Sequence, residues 1–216
     1  MKFHAFCRFF STSCLFGKAV SDVILARYAC KTFQDEEVSD DTIHRLLHLS
    51  SRAPSALNTQ PYVCVVVKSD SGKEALAQAM DGPNPAHVRE SSFSLVWAAD
   101  PNPELPPDAP EFAASLLKEV SLKQQSTHEA WAVKQTMIAV GFFLIAATAH
   151  GLHTNPMEGF KSQAAVREAV GLPDKYDVPV VVAVGFAKDP RPAASSRRPL
   201  NETFFCNRFG QSFKAT

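Results

Sequence analysis

The sequence predicts an α/β or α+β sandwich whose sheet is covered on both faces. Helical and extended patterns alternate along the chain. The two strongest extended runs, residues 62–67 and 178–186, are apolar at consecutive positions, as strands buried on both faces require. A third observation points the same way: residues 137–149 are apolar almost all round a helix, which demands burial on several sides, in part by a second subunit. A chain of 216 residues is long enough for one medium-sized domain with a proper core. With 45% hydrophobic and 20% charged residues it is neither disordered, collagen-like nor a coiled coil.

Taken in order, residues 19–33 read as a short helix ending in a turn. Ser39, Asp40 and Asp41 cap a helix carrying Ile43, Leu46, Leu47 and Leu49, and Arg52–Ser55 stops it. Tyr62–Val67 is a β-branched strand, followed by a turn at 68–72 and a helix to about Met80. Ser92–Ala99 is a second strand. Residues 100–110 hold five prolines and form a connector or the base of a flap. A long helical stretch runs from Glu111 to Gly151. Its apolar part falls short of the ~20 residues a membrane span needs, and charges precede it closely, so a core helix is the reading. Residues 160–170 make another helix, Val178–Phe186 a strand, and the end is an irregular basic tail.

The 22 basic and 22 acidic residues cancel, which removes the footprint of a nucleic-acid binder. The balance is uneven along the chain. The first twenty residues hold Lys2, Arg8 and Lys18 and no acid, leaving 19 basic against 22 acidic residues beyond them. An acid-free start with serines, threonines and phenylalanines between cations reads as a mitochondrial transit peptide over residues 1–18, ahead of one domain over 19–216. Of five cysteines, Cys7 and Cys14 lie in that leader. Cys30, Cys64 and Cys206 lack disulfide or zinc spacing.

GxGxxG, GxxxxGK[ST] and GxSxG are absent, so neither a Rossmann site, a P-loop nor a nucleophile elbow is supported. His44 and His48 lie four apart but lack the glutamate of HExxH and sit on a solvated face. Four segments remain that could together hold an anionic cofactor. These are Arg27-Tyr28-Ala29-Cys30-Lys31, with two cations; the polar ledge Pro54-Ser55-Ala56-Leu57-Asn58-Thr59-Gln60-Pro61; Asn155-Pro156-Met157-Glu158-Gly159-Phe160, read as a sharp turn before a helix; and Ser195-Ser196-Arg197-Arg198-Pro199.

In this order and spacing the segments, with Phe33, the 131–152 helix and the Val-Pro-Val-Val-Val-Ala-Val-Gly-Phe strand, resemble the nitroreductase family over roughly residues 19–210. The resemblance implies an α+β three-layer sandwich with a central mixed sheet, a homodimer with the long helix at its interface, and FMN bound between subunits. On that resemblance Arg27 and Arg197 would meet the FMN phosphate, with Tyr28 and Ala29 beside them. Lys31 would meet the flavin edge that becomes negative on reduction. Pro54, Ser55, Ala56 and Asn58 would come from the partner subunit. Asn84 would reach the pyrimidine end, and Met157, Glu158 and Gly159 would place backbone N–H groups near N5 and O4. Ala29 stands where the family usually has serine, and Ser195 where relatives often carry a second cation. The activity implied is hydride transfer from NADH or NADPH through the flavin to nitroaromatic, quinone or similar small-molecule acceptors, in a ping-pong cycle without a catalytic side chain. The alternatives are another flavin reaction on the same fold, dehalogenating or flavin-modifying, and a flavin-binding module without turnover. No metal, nucleic acid or membrane is expected; the location expected is mitochondrial, with the cytoplasm as the alternative.

Overall fold

The computed structural model describes residues 14–107, 109–115, 119 and 127–213. Four strands, β1 (Tyr62–Val67), β2 (Phe93–Ala99), β3 (His153–Met157) and β4 (Asp177–Gly185), form one sheet in the order β1–β2–β4–β3. All three ladders are antiparallel; the parallel pairing expected of a mixed sheet is limited, among the described residues, to an isolated bridge from Ala29 to Thr154.

Continuous apolar strands supply both faces. Phe93, Leu95, Trp97, Val180, Val182 and Val184 pack under α2 (Asp40–Ser50) and α5 (His128–Ala149). Val96, Ala98, Val181 and Ala183 pack against α3 (Asp70–Ala79), α4 (Asn84–Glu90) and α6 (Gln163–Val170). The result is the three-layer α+β sandwich expected. The helices start where the sequence caps them: Ser39 accepts from the Thr42 N–H, Ser69 from Gly72 and Ser162 from Ala165. Gly171 ends α6 at φ 68, the left-handed value at which a side chain is strained.

Several boundaries differ from expectation. The first helix, α1, spans Cys14–Ala26 rather than 19–33. Residues beyond it cannot stay helical because their backbone bonds elsewhere: Cys30 N–H to Thr154 O at 3.0 Å and Gln34 N–H to Phe186 O at 2.9 Å. The expected leader boundary at residue 18 falls inside α1, and residues 1–13 lie outside those described. β1 is an edge strand, so five of its six residues are only partly buried where full burial was expected. β3 and α4 were not foreseen. Asn155–Met157 is the end of an edge strand, not the turn at a helix start, and Pro156 is tolerated there because edge strands have N–H positions without a ladder partner.

The long helix begins at His128, capped by Thr127, and not at Glu111; much of the intervening stretch lies outside the described residues. It is long and apolar enough to cross a membrane by length and composition, yet Trp131, Ala139, Val140, Phe143 and Ala147 form a stripe buried within the protein. Away from that stripe, Met137, Ile138 and Phe142 are 37%, 38% and 44% exposed. A short helix, α7 (Leu200–Thr203), interrupts the otherwise extended tail.

Candidate functional site

Residues 27–31 leave α1 and run beside β3. Lys31 Nζ donates to Asn155 Oδ1 at 2.7 Å, and the Tyr28 ring packs on His153 with centroids 5.2 Å apart. Burial, then the neighbouring Cys30, pushes the Tyr28 hydroxyl above its ordinary value, and burial lowers His153. Arg27 is partly buried at the start of the segment; Ala29 is exposed.

The far end of β3 continues the same face. Met157 is buried, and Glu158 and Gly159 emerge into solvent. Asn84 Nδ2 and the Asp81 N–H both donate to the Gly159 carbonyl, at 2.8 and 3.1 Å. A Cβ at Gly159 would lie 2.7 Å from Asn84 Nδ2, so a larger residue there would push the Asn84 side chain off its bond to the Gly159 carbonyl. Tyr28, Ala29, Lys31, Asn84, Met157, Glu158 and Gly159 therefore belong to one region around β3. Asn84 spends its amide on the Gly159 carbonyl instead of leaving it open.

The ledge lies elsewhere. Ser55 Oγ accepts from the Gln60 N–H at 2.9 Å, and the Ala56 N–H donates to Gln135 at 2.8 Å. Leu57, Asn58 and Gln60 have φ of 53°, 53° and 44°, a run of left-handed residues without glycine. Such conformations cost about 1–2 kcal/mol each and survive where surroundings enforce them. Pro54, Ser55, Ala56 and Asn58 precede β1, whereas Lys31 sits beyond β3 at the opposite sheet edge. Three strand spacings separate the edges, roughly 14 Å. Among the described residues the ledge and the Lys31 segment do not come together.

Ser195 and Arg197 are exposed, and Arg197 Nη1 bonds the carbonyls of Ser195 and Ser196 at 3.1 Å rather than approaching Arg27. The tail cation that reaches this region is Arg191, 5.9 Å from the Tyr28 ring centroid and bonded to Leu25 O. Sequence reading missed it because nothing there shows that residues 186–188 return alongside 32–34, through the Phe33–Ala187 bridge and the Lys188 N–H to Thr32 O bond. It also passed over Asn155 as a turn residue. Asn155 is fully buried, and its Nδ2 has no hydrogen-bond partner, nor do Thr154 Oγ1 and His153 Nδ1. Its sequence neighbours His153, Thr154 and Pro156 carry no strand pattern, so nothing in the sequence marked it.

The fold is a three-layer α+β sandwich in which Lys31, Tyr28 and the buried polar side chains of β3 meet at one edge of the sheet. The model of the nitroreductase family matches residues 24–186. A protein described as NADH dehydrogenase from Thermus thermophilus is 32% identical over 189 residues, covering 82% of this chain and 90% of the relative. An oxygen-insensitive NAD(P)H nitroreductase from Salmonella typhimurium is 27% identical over 194 residues, covering 77% and 88%. Among solved structures, a nitroreductase family protein from Streptococcus pneumoniae superposes with a TM-score of 0.73 at 20% identity, covering 85% of this chain and 98% of the other. A chain from Exiguobacterium sibiricum solved in complex with FMN gives 0.70 at 21% identity, covering 84% and 94%. The chain belongs to the nitroreductase family. It is an oxidoreductase, and the FMN and NAD(P)H expected of it stand with that family.

The mitochondrial location does not stand. The relatives named here are bacterial, from Thermus and Salmonella, and others come from Bacillus and Streptomyces. An acid-free stretch running into a helix is a composition that proteins without organelle targeting share; here α1 begins at Cys14, inside the stretch read as a leader.

The residues present fit FMN. Lys31 Nζ, held against Asn155 on β3, supplies a cationic donor, and β3 runs on to the exposed Glu158 and Gly159. An isoalloxazine edge offers acceptors and gains negative charge on reduction.

Proposed function

We propose that the protein is a homodimeric FMN-dependent oxidoreductase in which NADH or NADPH and a small electron acceptor occupy one site in turn. A bound FMN would supply two-electron transfer from the nicotinamide to a nitroaromatic, quinone or similar flat acceptor. Lys31 places its positive charge at the edge of the ring that gains electrons. Arg27 and Arg197 neutralise the phosphate, Arg197 being carried there by the tail. Tyr28 and Ala29 line the approach, and Met157, Glu158 and Gly159 bound the ring edge. Asn84 acts by fixing the Gly159 carbonyl and so the turn that bears those N–H groups. Ser195 leaves the phosphate with one cation fewer, which Arg191 beside Tyr28 is placed to offset. Pro54, Ser55, Ala56 and Asn58 complete the site from the partner subunit.

The observation that carries this reading is the Lys31–Asn155 pair on the strand that leads to Glu158 and Gly159, in a chain of this family. The dimer is supported by the separation of the ledge from that pair and by Met137, Ile138 and Phe142 standing exposed on α5. An absorbance spectrum of the purified protein, before and after anaerobic NADH or NADPH, tests it. A flavin spectrum that bleaches, and is restored by a nitrofuran or quinone, is expected. Protein that neither carries FMN nor bleaches added FMN overturns the reading.

A further inference from the structure

We propose that Asn155 is a positioning residue: it fixes the Lys31 ammonium against the flavin edge through an uncharged acceptor. This rests on the FMN site proposed above. Asn155 occupies a sheet position paired with Ala183, on the face packed with Met157, Val181 and Ala183, and is fully buried. Valine or alanine would suit such a position, as its neighbours on the same face show. The amide contributes little to the fold itself, since Nδ2 has no partner and a buried donor without one is destabilising. What it does provide is Oδ1, 2.7 Å from Lys31 Nζ.

That contact has two consequences. A lysine side chain on an exposed segment samples many rotamers, and a buried acceptor on a strand selects one of them. An amide also leaves the lysine's charge intact. An aspartate at the same place would cancel it, and the field acting on a reduced flavin with it. A neutral, rigid, buried acceptor thus aims a full positive charge, at some expense in stability.

The test uses Asn155→Val, with Asn155→Ala as a second variant should valine pack poorly, each also in a Lys31→Met background. In the FMN-free protein, acetylation of Lys31 by acetic anhydride, read by peptide mass spectrometry, becomes several-fold faster in the variants. Their melting temperature holds or rises, because the unpartnered donor is gone. FMN binds about tenfold more weakly, and the midpoint potential of the bound flavin falls by about 30 mV, a tenfold change for a two-electron couple. In the Lys31→Met background the potential no longer responds to position 155. A lower melting temperature with unchanged potential would mark a merely structural asparagine and overturn the proposal while leaving the FMN reading intact. A potential shift that persists without Lys31 overturns it equally. Failure of the wild-type protein to bind FMN overturns both, whatever the labelling shows.

Discussion

Arg89 donates from Nε and Nη2 to the two carboxylate oxygens of Glu74, at 2.7 and 3.0 Å, tying α4 to α3. These bonds, helped by Gln78, hold the Glu74 carboxyl down to about 2. A carboxylate whose folded value is depressed stabilises the fold above its unfolded value and loses that contribution as pH falls through the folded one. Glu74→Gln should therefore melt below the wild type at neutral pH, with the gap closing between about pH 4.5 and pH 2 in a series of thermal melts. His153 loses stability in the same direction, for a different reason. Burial against Tyr28 lowers its value, so the unfolded chain takes up a proton first and stability drops as pH falls below about 6.5. His153→Gln should flatten that acid-side loss between pH 7 and 5. Neither partner was readable from the sequence, because Glu74 and Arg89, or Tyr28 and His153, meet only through the fold. Arg27, Lys31 and Gly159 could be singled out, but Asn155, which holds Lys31, could not.

At the scale of elements, legibility followed how much of an element's pattern is its own. β1 and β4 were plain because unbroken β-branched runs have few alternatives. α2, α3 and α6 were plain because Ser39, Ser69 and Ser162 cap them. β3, with His153, Asn155 and Pro156 in five residues, has no such pattern and is a strand because β4 offers it a ladder. The helix–sheet contact makes a sharp test. Phe143 is fully buried on α5, edge-on to Trp97 with centroids 6.2 Å apart. Phe143→Ala should cost about 3–5 kcal/mol in denaturant unfolding, since the sheet cannot collapse into the gap. Gly171→Ala should cost about 1 kcal/mol by the same measurement, because it forces a side chain into a left-handed helix end.

For the whole molecule the decisive geometry is the separation of the ledge from the Lys31 segment across the sheet. If the site is closed by a second copy, charge on the uncovered side of α5 should disassemble it. Ile138→Glu together with Phe142→Glu is expected to sediment as a monomer in analytical ultracentrifugation and to lose bound FMN, with the secondary structure unchanged by circular dichroism. A dimer that persists with full FMN would place the interface elsewhere. The sequence by itself determined the covered sheet, most of its helices and the family, and marked out four candidate segments, because these depend on local pattern and on the order of motifs. Only the tertiary structure decided that residues 27–31 run extended beside β3, that Arg191 rather than Arg197 lies against Tyr28, and that a buried asparagine holds the lysine. The physical reason is common to all three. Each is a pairing between residues more than a hundred positions apart, and what fixes it is the unmet hydrogen-bonding and burial demand of both sides together, which neither segment carries alone.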